Sequence, residues 1–341
     1  MRGNKMIKKI AIGSLASALF LAGCGGEQGV AGADDPKNLI LATQLDENSP
    51  YAVGFRTFKE AIEEESDGAI TAELHTNGTL GSNEDTLLQS IATGGVDITV
   101  VSPGFMTQVQ REVDLFSMPY LFTSYEHWLR VVDGEVGDAM STLVEEETNL
   151  QVLGYWSAGV RQYYGFEPVN EVEDLRNVSI RTQDSPGIQD SWSALGALPV
   201  GVAWGEMYQA LQNRVVDASE NDFTNVYQSS HHEVTPYISL TDHDFTTRFF
   251  LTSDVVMERF TEEEQEMIER AAEQATTSAR EADLELAESS LERLVEEGAI
   301  INEVDIEPFI EQTEPVRARI AEELDAMELF DAIRDLADEE L

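Results

Sequence analysis

The chain has 341 residues and carries 65 Asp and Glu against 21 Lys and Arg, a formal net charge of −44. A field of that sign repels nucleic acid, which excludes DNA and RNA as partners, and the single cysteine excludes a disulfide framework or a cysteine-held metal cluster. The length passes the ~250 to 300 residues at which one core stops growing, so two lobes are expected.

In chain order, Arg2, Lys5, Lys8 and Lys9 precede an apolar run over 10–21 that ends in Leu21-Ala22-Gly23-Cys24. The run is short of the ~20 residues that cross a bilayer and has the layout of a cleaved secretion signal over 1–23. Cys24, directly after a small pair, resembles the cysteine of a bacterial lipobox; that resemblance implies lipidation there and an extracytoplasmic protein anchored to the cell membrane. Residues 24–37, rich in Gly, Ala and acids, read as a flexible tether.

A short apolar strand is expected over 39–43, then an amphipathic helix from Pro50 with Val53, Phe55, Phe58, Ala61 and Ile62 on one face, closed at Asp67-Gly68. A strand over 70–74, a helix over 84–92 stopped by Gly94-Gly95, and a strand over 96–101 complete a βαβαβ order, which implies a parallel sheet covered by helices. Ligands of such sheets sit at the carboxyl ends of the strands, which places Gln44 and 102–105 at a binding edge.

A second block begins with a strand over 152–156, with 161–166 as a possible hairpin partner. Strands over 178–181, 198–200 and 215–219 follow, alternating with helices over 186–195 and 205–212, and then strands near 237–240 and 246–252. Beyond Thr261 one long charged helix runs to about residue 297, with Leu284, Leu286, Leu291, Leu294 and Val295 as its expected apolar face.

No phosphate loop, paired-histidine helix or nucleophile-elbow serine is present in this sequence. His231-His232 reads as surface histidines, and the acids after Thr261 as a solvated helix face. Cations are scarce, so arginines outside helices carry information. Arg161 follows the turn-like Ser157-Ala158-Gly159, and Arg181 ends the strand Val178-Ser179-Ile180; each could grip a carboxylate with its planar fork or serve as a structural ion pair.

The stretch Glu173-Asp174-Leu175, then Val178-Ser179-Ile180-Arg181, resembles the "DL-x-G-x-x-I-R" segment of the solute-binding proteins of tripartite ATP-independent periplasmic (TRAP) transporters, the DctP family. Leu195-Gly196-Ala197, then Glu206-Met207-Tyr208-Gln209-Ala210-Leu211-Gln212, then Val216-Asp217-Ala218-Ser219-Glu220-Asn221, are similar to that family's "LGA", "E-x-Y-x-ALQ" and "VDG-x-EN" motifs in order and spacing. Ala218 departs from the usual Gly, and Asn213-Arg214 from the usual Thr-Gly.

The resemblance implies a two-lobed α/β clamshell with a long C-terminal hinge helix and no enzymatic activity or cofactor. It implies that Arg181 pairs with a substrate carboxylate, that Asn221 bonds the same group, and that Arg161 is a second arginine. Trp204 would be an aromatic wall, Gln44 a polar group from the facing lobe, and Ser102 and Phe105 part of the first lobe's edge. The lobes are expected at 38–156 with 247–286, and at 157–246 with 287–341. The partners implied are a small organic acid and a membrane permease. A sugar acid leads over an ectoine or a C4-dicarboxylate as ligand; a lipid-anchored hydrolase with paired carboxylates remains the alternative of another class.

Overall fold

A computed structural model of the chain describes residues 36–338. The signal segment, the lipidation site Cys24 and the tether up to residue 35 lie outside the described residues. Lys37, assigned to the tether from sequence, is already the first residue of a strand, paired with Ile70.

The first unit is β1 (Lys37–Ala42), α1 (Pro50–Glu65), β2 (Ile70–His75), α2 (Glu84–Ala92) and β3 (Ile98–Val101). Its helix starts follow from capping. Ser49 accepts the Ala52 amide ahead of Pro50, and Asn83 accepts the Thr86 amide, each satisfying a donor the helix itself cannot. β1 lies between β2 and β3 and is parallel to both, as the βαβαβ order requires. Three helices follow, α3 (Pro103–Met106), α4 (Tyr125–Val132) and α5 (Glu135–Glu147).

The expected hairpin over 152–166 is instead one continuous strand, β4 (Leu150–Gly165). The two strands expected near 237–240 and 246–252 are likewise one, β8 (Tyr237–Ser253). They pair antiparallel from Leu150↔Ser253 to Gly165↔Tyr237, with register shifts at Val152/Gly154, Ser157/Val160 and Arg161/Tyr163. Ser157-Ala158-Gly159 looks like a turn because Gly159 adopts φ +70°. Here that left-handed residue makes an irregularity within a strand, which bends it without reversing it.

Between the long strands come β5 (Ser179–Thr182), α6 (Pro186–Ala194), β6 (Leu198–Gly201), α7 (Met207–Gln212), β7 (Ala218–Asn221) and α8 (Phe223–Gln228). β7 begins three residues later than expected, leaving Val215 62% exposed. Arg214, where the DctP family has Gly, takes φ +56° and lays its guanidinium over the Phe166 ring. After β8 come α9 (Asp254–Met257), α10 (Glu262–Glu296), β9 (Ile300–Glu303), α11 (Glu307–Glu323) and α12 (Met327–Asp335).

All strands form one sheet of order β2-β1-β3-β8-β4-β7-β5-β6, with β9 also on β8. β3 joins β8 near its carboxyl end, at Thr99↔Leu251. β7 joins β4 near its carboxyl end, at Gln162↔Asn221. The two long strands are therefore common to both halves of a two-lobed clamshell, and helices with apolar cores cover each half. The helix α10 packs on α1, β4 and α8. Its buried face is Ile268, Ala271, Ala272, Ala275, Ala279 and Leu294, whereas Leu284 and Val295, expected on that face, are about half exposed. Small residues win because α1 approaches closely: a Cβ on Gly54 would lie 2.8 Å from the Ala279 Cβ and 2.7 Å from the Trp156 ring.

Candidate functional site

The carboxyl ends of β1, β5, β6 and β7 converge on a cavity of about 340 Å³, the size class of small-molecule sites. Six residues singled out from sequence line it: Gln44, Phe105, Arg161, Arg181, Trp204 and Asn221. Ser102 does not. It is buried one step behind, where its amide (2.6 Å) and hydroxyl (2.7 Å) both donate to the Glu84 carboxylate.

Arg161 lines the cavity, yet its fork is engaged. Nε and Nη2 donate to the two carboxylate oxygens of Glu220, Nη2 also to the Glu220 carbonyl at 2.8 Å, and Nη1 to Asn221 Oδ1 at 2.9 Å. Burial by itself would depress the Arg161 pKa, but the Glu220 charge reverses this and raises it. Burial likewise works against ionised Glu220, and the Arg161 guanidinium with the His243 hydrogen bond overrides it, holding the carboxyl at about 2. This is a closed, bidentate buried pair. The second arginine implied by the resemblance is thus bound to protein, and Asn221 turns its oxygen toward Arg161.

Arg181 differs. It is 4% exposed, and among the described residues its guanidinium makes one hydrogen bond, from Nε to the Val202 carbonyl at 2.9 Å. Its carbon lies 5.7 Å from the centre of the Trp204 ring. Burial dominates its surroundings and lowers its pKa. A buried guanidinium without a carboxylate is costly, and an anion entering the cavity relieves that cost.

Sequence reasoning missed a second such group. Arg248 on β8 lines the same cavity at 5% exposure; Nη1 donates to the Thr247 carbonyl at 3.0 Å, and Nε has no partner among the described residues. The signal was available, since Arg248 is an arginine in the apolar strand context that drew attention to Arg161 and Arg181. Tyr51, Thr182 and Asn225 also line the cavity, as does Glu84, which accepts from Gln44 Nε2 at 2.9 Å. Glu84 was hidden because an acid in the first turn of a helix is ordinarily a response to the helix dipole.

Behind the cavity, at the bend of β4, Asp283 of α10 accepts from the Ser157 hydroxyl (2.6 Å) and the Gly159 amide (2.8 Å). Burial pushes this carboxyl up to about 7. Among the described residues no group of His, Cys, Asp and Glu is arranged to hold a metal ion, and no helix is long and apolar enough to cross a membrane.

Two lobes sharing two long strands, with a cavity at facing strand ends that holds an unpaired cation, define a protein built to capture a small anion. The comparisons with known proteins agree. Residues 41–324 match the bacterial extracellular solute-binding protein family 7, DctP, and the chain belongs to that family. It is 26% identical over 336 residues to a solute-binding protein of Sulfitobacter sp. (strain NAS-14.1), covering 97% of this chain and 98% of that one. Among solved structures, a TRAP periplasmic solute-binding protein from Sulfitobacter sp. NAS-14.1 with bound β-D-galacturonate is 27% identical. It superimposes with a TM-score of 0.84, covering 88% of this chain and 100% of the other. One from Citrobacter koseri with bound D-glucuronate is 26% identical, with a TM-score of 0.83 over 88% of this chain and 99% of the other. The protein is therefore an extracytoplasmic solute-binding component of a TRAP transporter, not an enzyme.

Proposed function

We propose that this protein captures a sugar acid of the uronate or aldonate class in the cavity between its lobes and presents it to its membrane permease. The observation that carries the reading is Arg181: a buried cation at a strand's carboxyl end, facing a cavity, with a single main-chain acceptor. A carboxylate there completes the fork with charge-assisted bonds. Trp204 supplies an apolar wall beside it, and Asn221 Nδ2 a further donor. The uronates bound by the Sulfitobacter and Citrobacter relatives support the same class of ligand.

The lobes are taken as 38–156 with 247–286 and 157–246 with 287–341. Closure moves one against the other through the bends of β4 and β8 and along α10. Cys24 carries the lipid that holds the protein at the membrane surface, with the following segment as tether.

A dicarboxylate is the second reading, favoured by a second guanidinium that no carboxylate pairs with among the described residues, Arg248. A thermal-shift screen of the mature protein against uronates, aldonates, C4-dicarboxylates and ectoines tests the proposal. A ligand at 100 times its dissociation constant adds about 2.7 kcal/mol of stability. Stabilisation by sugar acids, with none from the other classes, is the expected result; stabilisation by C4-dicarboxylates or ectoines alone would overturn it.

A further inference from the structure

Two buried arginines face the cavity without a carboxylate, and they are not near neighbours in the sheet. Arg181 is on β5 and Arg248 on β8, with β7 and β4 between them. Arg161, between the two, is spent on Glu220. A ligand that reaches Arg248 while its carboxylate is held by Arg181 must be several carbons long, and its far end can be a second carboxylate or a set of hydroxyls.

The polar atoms left without partners decide between these. Arg248 Nε is a donor, Gln44 Oε1 an acceptor, and Thr182 Oγ1 can be either; all three are buried and without a partner among the described residues, on side chains that line the cavity. The orientation of the Gln44 amide is fixed by its Nε2 donating to Glu84, since the flipped amide would set oxygen against carboxylate. A second carboxylate offers only acceptors and would leave Gln44 Oε1 unsatisfied. A hydroxyl both donates and accepts, so a row of hydroxyls can serve Arg248, Gln44 and Thr182 together.

Charge points the same way. With Arg161 matched by Glu220, the buried charged side chains that line the cavity are Arg181 and Arg248 against Glu84, at most one positive charge in excess, since the buried Asp244 lies behind the lining 4.0 Å from Arg161. One carboxylate neutralises it. A second would add an uncompensated negative charge in a cavity whose lining also includes the acids Asp85 and Asp184.

We propose that Arg248 is a specificity-determining residue, reading hydroxyl oxygens at the far end of a polyhydroxylated monocarboxylate and not a second carboxylate. The inference rests on the sugar-acid reading and narrows it to monoacids. A site built to bond hydroxyls discriminates steeply, because a ligand lacking them leaves buried polar groups unpaired.

The test is calorimetric titration of the wild-type protein and Arg248→Gln with D-galacturonate and with galactarate, its six-carbon diacid. The wild type should bind galacturonate more tightly than galactarate. Arg248→Gln should lose about 30-fold or more for galacturonate and lose the preference between the two, with the unliganded melting temperature within about 3 °C of wild type. Should the Gln variant fail to fold, Arg248→Lys, which keeps the charge and loses the fork, is held to the same two criteria.

Tighter binding of galactarate by the wild type would overturn the inference, showing that a second carboxylate is read. So would galacturonate affinity unchanged within about 3-fold in the variant, or an equal loss for both ligands, which marks a merely structural arginine. Absence of binding to either acid by the wild type would instead bring down the sugar-acid reading on which the inference rests.

Discussion

Arg161 and Arg181 lie on strands of one sheet, both are nearly inaccessible to solvent, and both line one cavity, yet their surroundings are opposite. Around β4 and β7 the Arg161 fork is filled by Glu220 and Asn221, and the pair holds the two strands together from beneath the cavity. At the end of β5 the Arg181 fork is left open toward the cavity, with one main-chain acceptor and its carbon over the Trp204 ring, 5.7 Å from the centroid. The same residue type at the same burial therefore has its fork filled by protein in one case and left open toward the cavity in the other. What separates them is whether the protein itself supplies the counter-charge. Arg248 stands between the two: no carboxylate pairs with its fork among the described residues, yet burial, which would lower its pKa, is outweighed by the nearby Tyr51, Glu84 and Asp244, which raise it.

The comparison makes its largest prediction at Arg161. Arg161→Ala leaves Glu220 buried without its cation, and the cost is about 3 to 5 kcal/mol of folding stability, read from urea unfolding. A loss below about 1 kcal/mol would erase the distinction between the two arginines, because it would class Arg161 with weak, solvent-screened pairs.

A buried carboxyl without a cation beside it should behave in the reverse sense, and Asp283 is that case. Its folded pKa of about 7 stands above the unfolded value of ~3.9. Its neutral form thus contributes stability that is complete below the unfolded value and lost as pH rises through the folded one. Glu220 has the opposite sign: held at about 2, it contributes stability present above its unfolded value and lost only in strong acid. Asp283→Asn can keep both hydrogen bonds through its amide oxygen. It should gain on the order of 2 kcal/mol relative to wild type between pH 5 and pH 8. Unfolding curves at the two pH values with the same difference between variant and wild type would contradict this.

The smallest effect is at Trp204. With Arg181 5.7 Å from its ring, Trp204→Ala should weaken ligand binding by about 1 kcal/mol and leave unliganded stability almost unchanged. Loss of stability without loss of affinity would make the ring a packing element only.

Much of this was legible in the sequence. The βαβαβ opening could be read because its apolar strands are short, Pro50 opens an amphipathic first helix, and Asp67-Gly68 and Gly94-Gly95 end the helices. The long strands were not legible. Gly159 imitates a turn, and the polar run Thr241-Asp242-His243-Asp244 hides the middle of β8, where buried polar groups answer one another instead of water: His243 sits 3.2 Å from Glu220. The face of α10 was misjudged because leucines draw attention while the close approach of α1 selects alanines. At the site, motif resemblance picked out Arg181, Arg161, Trp204 and Asn221, but residue type and spacing are silent on which arginine has a protein partner. Glu220, next to Asn221 in the same motif, decides that, and only the pairing of β4 with β7 brings it to Arg161.

The most direct measurement of the central claim is paired unfolding of wild type and Arg181→Gln, each with and without D-galacturonate at saturating concentration. The account predicts that the unliganded variant is as stable as wild type or more so, since a buried cation without a counter-charge has been removed, and that the ligand-induced gain disappears. An unliganded variant destabilised by several kcal/mol whose ligand-induced gain survives would contradict it, placing Arg181 with Arg161 among the structural arginines.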